Sequence, residues 1–267
     1  MPDHVIAQTE FLNVARAENG VVTVTIERSA RKNAMSQAMW RAMTSLFEGL
    51  AGDSTIRAVI LTGAGSDFCA GADITEFDTV RGSAEKARQY EAENSATFAA
   101  IRHCPVPTIA AIRGICFGGG FGMAAACDLR IASTTALFSV PAARLGLAYP
   151  VDAMADIVQA LGPQLAKYLT FSAARLDAQA ALDAGFLLEI VEPGGLDLRA
   201  TELAATIAAN APLSVKASKA SIRATLTGSA ADAAVASKLG DETFESADYA
   251  EGRLAFREKR RALFQGR

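Results

Sequence analysis

The stretch Cys116–Arg130, CFGGGFGMAAACDLR, decides how this chain is read. Three successive glycines, Gly118 to Gly120, precede Phe121 and a further glycine, Gly122. With no Cβ, such a run lets bare backbone approach something closely. The residues that follow are small and apolar and predict a buried helix. DLRIAS (Asp128–Ser133) then predicts a strand, and so does TIAAIRG (Thr108–Gly114) upstream, a short apolar run ending in glycine. The glycines therefore sit where a strand turns into a helix, whose first N–H groups have no intrahelical partner.

The same alternation extends outward. VVTVTIE (Val21–Glu27) has the period of a half-buried strand. After the polar turn RSARKN, Ser36 is placed to cap a helix whose Met39, Met43, Leu46, Phe47 and Leu50 fall on one face. RAVILTG (Arg57–Gly63) predicts a buried strand. In CAGADITEF, Asp73 and Glu76 have capping-box spacing, which predicts a helix from Ile74. Another helix is predicted over Ser83–Arg102, ending before the prolines of CPVP. From Asp152 the chain is mainly helical, with one strand at FLLEIVEP, and the last sixty or so residues carry helical periodicity alone. Strands alternating with helices imply α/β architecture with a helical C-terminal appendage.

Composition narrows the function. The chain has 267 residues, 51% hydrophobic and 21% charged, with a net charge of -3. That suits one large domain, or a core plus an appendage, and offers no basic excess to neutralise nucleic acid. No segment reaches the roughly 18 apolar residues of a membrane helix, and the N-terminus lacks the pattern of a secretory signal. A cytoplasmic protein is expected. Cys69, Cys104, Cys116 and Cys127 form no CxxC pair and are expected as buried, reduced thiols. GxGxxG fails because its last position is Met123, and GK[ST], GxSxG and HExxH are absent. Of two histidines, His4 is expected in a loose terminus. His103 is expected at a helix end, where a protonated imidazole would complement the dipole. Neither metal nor Ser-His-Asp chemistry is expected.

Two N–H groups remain of interest. The glycine run offers one at the start of its helix, and AGADITEF offers another at Ala72, before the capping Asp73. Two such donors converging on one carbonyl oxygen make an oxyanion hole, and losing one typically costs about 10²–10³ in rate. Either motif alone is equally readable as a turn that packs a helix tightly against a strand.

FCAGADI, IAAIRGICFGGGFGMAAACDLRIAS, FSVPAARLGL and EGRLAFREKRRALF resemble the enoyl-CoA hydratase/isomerase family, also called the crotonase family. These segments span most of the chain. The resemblance implies an α/β crotonase-like spiral of β-β-α turns, with residues 1–205 as the core and 206–267 as a helical oligomerisation region. It further implies a trimer or dimer of trimers, and acyl-CoA or enoyl-CoA as substrate, with coenzyme A present only as part of that substrate. Ala72 and Gly119 would supply the hole and stabilise a thioester enolate. Ala70, Asp73, Ile74 and Thr75 would line the CoA channel, and Arg31 and Lys32 would neighbour the CoA phosphates. Phe256 and Lys259 match a pair that reaches a neighbouring subunit's CoA; they also read as an amphipathic helix with Phe256 in a core and Lys259 in water.

The resemblance also places two catalytic glutamates on positions that hold Gly122 and Ala142. Neither residue can transfer a proton, and general acid–base work contributes typically about 10²–10⁴-fold. Hydration through the usual pair is therefore not expected unless glutamates are restored at both positions. A carboxylate used by other members falls on Pro150. Asp152 follows two residues later and Asp156 one turn beyond, on one face, where mutual repulsion could raise one pKa. Asp152 also reads as an N-cap, and Tyr149 is a further polar candidate. Three functions stay open: a CoA-thioester lyase or isomerase with a non-standard acid/base, a non-catalytic acyl-CoA-binding protein, and an acyl-CoA thioester hydrolase. Phe117, Phe121, Met123 and Leu147 read either as acyl pocket or as core.

Overall fold

The computed structural model describes residues 4–8 and 10–267. Its strands are β1 (His4–Gln8), β2 (Leu12–Arg16), β3 (Val21–Ile26), β4 (Ala58–Gly63), β5 (Thr108–Ile112), β6 (Ile115–Phe117), β7 (Leu129–Ser133), β8 (Leu137–Ser139), β9 (Arg175–Asp177) and β10 (Glu189–Val191). Its helices are α1 (Gln37–Gly52), α2 (Phe77–Val80), α3 (Ala84–Arg102), α4 (Gly119–Ala126), α5 (Val151–Ser172), α6 (Ala178–Asp183), α7 (Leu196–Ala208), α8 (Pro212–Thr227), α9 (Ala230–Phe244) and α10 (Ala247–Glu258). Seven strands form one sheet in the order β1-β2-β3-β4-β5-β7-β10, antiparallel through β3 and parallel from β3 onward. A second sheet, β6-β8-β9, stands apart from it.

The continuous apolar runs of β4 and β5 follow from burial on both faces. Val59, Leu61, Ala110 and Ile112 face the main core with Met43 and Phe47 of α1 and Phe98 of α3. Ala58, Ile60, Ile109 and Ala111 face the other way, onto Leu196, Ala200 and Ala204 of α7. Those three residues recur every four positions and form one stripe of the helix. The boundary expected at 205/206 falls inside α7, which packs against the sheet, whereas α8 and α9 pair with each other.

Several local expectations change. His4 opens an edge strand paired with β2 rather than a loose terminus. Ser36 caps α1 as expected, accepting from Met39 N–H at 3.3 Å. The helix expected from Ile74 starts there as a 3₁₀ turn, Ile74–Glu76, and runs directly into the short α2. Asp73 caps it through Thr75 N–H, but Glu76 accepts from Gln37 N–H at 2.6 Å, so no reciprocal box forms. Asp152 is the second residue of α5, behind Val151 and Pro150, and is not its cap. The C-terminus is not helical throughout. Lys259 adopts a left-handed conformation (φ 55°) and ends α10. The chain then folds back, with Arg260 on Glu251 and the Gln265 and Gly266 amides donating to Asp248 at 2.7 and 2.8 Å. All four cysteines are free and buried.

Candidate active site

Two loops meet at the start of α4. Cys69 N–H donates to Ile115 C=O at 2.9 Å and Phe117 N–H donates to Cys69 C=O at 3.0 Å, a short parallel bridge beside β6. The chain beyond Cys69 turns at Gly71 (φ 95°). A Cβ there would stand 2.8 Å from Phe117 O and 3.1 Å from Gly119 N, so only glycine allows the approach. Met35 N–H donates to Gly71 C=O at 2.7 Å, and Asp73 N–H donates to Met35 C=O at 2.8 Å. This bridge consumes the groups on either side of Ala72 and leaves the Ala72 N–H directed away from Met35.

Gly118 is the second turning point, with φ 51° and ψ -119°, a conformation that a side chain would strain. Its N–H donates to Ser139 C=O at 2.9 Å. Gly119 then opens α4, and the direction of its missing side chain ends 3.8 Å from Ala72 N and 2.8 Å from Cζ2 and Cη2 of Trp40. The two amides are therefore neighbours. Among the described residues, neither N–H has a protein acceptor.

Gly122, one turn into α4, has no room for a side chain. A Cβ would lie 2.5 Å from the Tyr149 hydroxyl and 2.8 and 2.9 Å from the Phe98 ring. Tyr149 stacks on Phe98 at 6.5 Å between centroids, Phe98 meets Trp40 edge-on, and the Tyr149 hydroxyl donates to Gly118 C=O at 2.8 Å. Burial, reinforced by the charge of nearby Glu91, pushes the Tyr149 pKa up, so the phenol stays protonated. Ala142 follows Pro141, whose Cδ lies 4.0 Å from the side-chain direction of Gly118.

The carboxylates downstream have other partners. Asp156 is buried and holds Arg102 through two contacts of 2.7 and 2.8 Å. Burial raises its pKa despite Arg102, with Asp152 adding to the rise. Asp152 accepts from Ser95 at 3.2 Å and lies 4.0 Å from Arg102, both on α3. His103 stands at the C-terminal end of α3, as expected, but not in the charged form that would complement the dipole. Burial, with Arg223 and Arg102 nearby, lowers its pKa, so the imidazole is neutral near pH 7 rather than protonated.

The early turn comes to the same place. Ala70 N–H donates to Lys32 C=O at 2.9 Å, with Arg31 and Lys32 exposed beside it. Asn33 was not anticipated as the link. Fully buried at φ 56°, it donates to Ala64 and Asp67 carbonyls at 2.9 and 2.6 Å and accepts from Arg28 N–H. Asp73 is buried on Arg28 at 2.7 Å. Burial would raise its pKa, but hydrogen bonds from Thr75 and Arg28 outweigh that and hold it below the usual range. Ile74 and Thr75 are exposed. Phe256, 86% exposed, and Lys259 stand at the end of α10, so within this chain Phe256 fills no core. Phe121 and Met123 are core residues, whereas Phe117 and Leu147 are half-buried. Sequence reasoning also passed over the inner face of α3. Tyr90, Asn94, Thr97, Phe98 and Ile101 recur there at helical spacing, with Asn94 Oδ1 lacking a protein partner. A polar Asn and Thr within a buried stripe was the available signal.

The sequence profile described as enoyl-CoA hydratase/isomerase matches residues 16–267. The chain belongs to the enoyl-CoA hydratase/isomerase family. It is 35% identical to a short-chain-enoyl-CoA hydratase of Clostridium acetobutylicum, over 94% of this chain and 97% of that one. It is 34% identical to the mitochondrial Delta(3,5)-Delta(2,4)-dienoyl-CoA isomerase of Mus musculus, over 79% of this chain and 68% of the isomerase. Among solved structures, an enoyl-CoA hydratase/carnithine racemase of Magnetospirillum magneticum superposes with a TM-score of 0.91 at 34% identity, covering 97% of each chain. The two-sheet α/β core and helical C-terminal region are thus those of the crotonase fold, in a family that acts on CoA thioesters. No helix of the described residues is long and apolar enough to cross a membrane, and no cluster of three metal-ligating side chains occurs among them.

Proposed function

We propose that this family member binds an acyl-CoA or enoyl-CoA with its thioester oxygen between the N–H groups of Ala72 and Gly119. The pair stabilises the enolate that forms when a proton leaves the acyl chain and that is discharged when a proton returns to carbon, in a lyase or isomerase reaction. The observation that carries this reading is the adjacency of two amides with no protein acceptor. Helix α4 adds the positive end of its dipole at Gly119. The CoA arm would follow the backbone from Ala70 to Thr75, with Arg31 and Lys32 near its phosphates and Phe256 and Lys259 serving a neighbouring subunit of a trimer or dimer of trimers.

The usual glutamate pair takes no part, because Gly122 and Ala142 carry no titratable group. Tyr149 is no free acid either, since it spends its one proton on Gly118. Asp152 is the remaining carboxylate candidate at the start of α5, and rotation away from Ser95 is the motion it would need. These commitments favour, as a second reading, an acyl-CoA-binding protein without turnover.

One experiment addresses both. Cinnamoyl-CoA is a conjugated thioester whose absorbance moves to longer wavelength when its carbonyl is polarised. A red shift on binding is expected, and binding without a shift refutes the amide pair. A panel of enoyl- and dienoyl-CoA esters then separates the readings. Turnover that is lost in Asp152→Asn supports the enzyme, and binding with no turnover across the panel supports the second reading.

A further inference from the structure

The two amides at the candidate site are held in different ways. In a planar trans peptide the C=O and the following N–H point in opposite directions, so whatever grips the carbonyl aims the amide. The Ala72 N–H belongs to the peptide whose carbonyl is Gly71 O, and that oxygen is held by the backbone N–H of Met35 at 2.7 Å. The Gly119 N–H belongs to the peptide whose carbonyl is Gly118 O. That oxygen accepts the Tyr149 hydroxyl at 2.8 Å and the Gly122 N–H at 3.0 Å. One donor peptide is thus fixed by backbone alone, and the other is also fixed by a side chain.

We propose that Tyr149 is a positioning residue that aims and strengthens the Gly119 N–H by hydrogen-bonding the carbonyl of the same peptide; the proposal rests on the amide-pair reading above. Two structural observations and one general property of peptides support it. Gly118 sits at φ 51° and ψ -119°, so its peptide plane has no low-energy local preference to hold it and needs external contacts. The Tyr149 ring is itself located by stacking on Phe98, so the hydroxyl is presented in a fixed direction. Donation into a peptide carbonyl polarises the whole unit, and chains of hydrogen bonds reinforce one another by roughly 10–30% per bond.

The arrangement also accounts for Gly122. The Tyr149 hydroxyl occupies the place a Cβ at 122 would take, 2.5 Å away. A side chain at 122 and a hydroxyl on Gly118 therefore exclude one another. This chain has the hydroxyl, and with it a tuned donor in place of a proton carrier.

The test uses the whole 267-residue chain and cinnamoyl-CoA. Wild type is expected to give a red shift on binding. Tyr149→Phe is expected to bind within about twofold but with a shift smaller by roughly 10–30%. Replacement of Tyr149 by 3-fluorotyrosine, whose more acidic hydroxyl is the stronger donor, is expected to enlarge the shift. A shift equal to wild type in Tyr149→Phe overturns the role of Tyr149 while leaving the amide pair standing. No shift in wild type removes the amide pair and this proposal together. Should Tyr149→Phe fail to fold, the fluorotyrosine protein decides, and an unchanged shift there overturns the proposal.

Discussion

Gly122→Ala places one methyl group between Tyr149 and Phe98, where the site has no room for it. In an open helix the change would gain about 1 kcal/mol of helix propensity. In α4 the methyl would stand 2.5 Å from the Tyr149 hydroxyl and 2.8 and 2.9 Å from the Phe98 ring. Such overpacking costs about 1–3 kcal/mol. If Tyr149 moves off Gly118 to relieve it, a hydrogen bond worth about 0.5–1.5 kcal/mol is lost as well. With both penalties set against the gain, a net destabilisation of about 0.5–3.5 kcal/mol is expected. Urea unfolding of the wild type, Gly122→Ala, Tyr149→Phe and the double variant measures it. The alanine should cost less, by about 1 kcal/mol, once the hydroxyl is gone. An alanine variant as stable as wild type, or one equally costly in both backgrounds, would refute the steric argument. The same contact bears on restoring glutamates at 122 and 142. That pair is expected to give no hydration of a short enoyl-CoA unless Tyr149 and Phe98 are also trimmed.

Gly119→Ala keeps its N–H but drives a methyl to 2.8 Å from Trp40, so stability should fall by about 1–3 kcal/mol while a bound thioester stays polarised; calorimetry and cinnamoyl-CoA spectra check the two halves. Asp156→Ala leaves Arg102 with only Asp152, 4.0 Å away, and should lower stability toward the lower end of about 3–5 kcal/mol in chemical unfolding. His103 has a folded-state pKa below its ordinary 6.5, so its contribution is present above that value and is lost as pH falls through the folded pKa. His103→Gln should therefore flatten the fall in melting temperature on the acid side of pH 6.5, and a slope identical to wild type would count against the shift. Asn33→Ala removes three hydrogen bonds and a residue tolerant of positive φ, at an expected cost of about 2–4 kcal/mol by urea midpoint.

The order of strands and helices was legible wherever a run was long enough to display its period, as in β4, β5 and α1. The second sheet was not, because β6, β8 and β9 have three residues each and no period can be read over three positions. The two glycine-rich turns announced close backbone approach, and the structure gives each its steric reason at Gly71 and Gly118. What sits against Gly122 could not be read from the chain. Tyr149 lies far along it and arrives through packing on Phe98, which no local pattern encodes. The charge of Asp152 and Asp156 was visible, but their common partner Arg102 is on another helix. The same holds for His103, whose expected dipole partnership ignores the cations of α8 that the fold places beside it.

The fold-back after Lys259 has a practical side. Asp248 is 3% exposed, and the amides of Gln265 and Gly266 solvate its carboxylate in place of water. Clipping the polypeptide at residue 258 would take both amide donors from that carboxylate and uncover it to water, and α10 would lose the Phe264 ring that lies against Gly252.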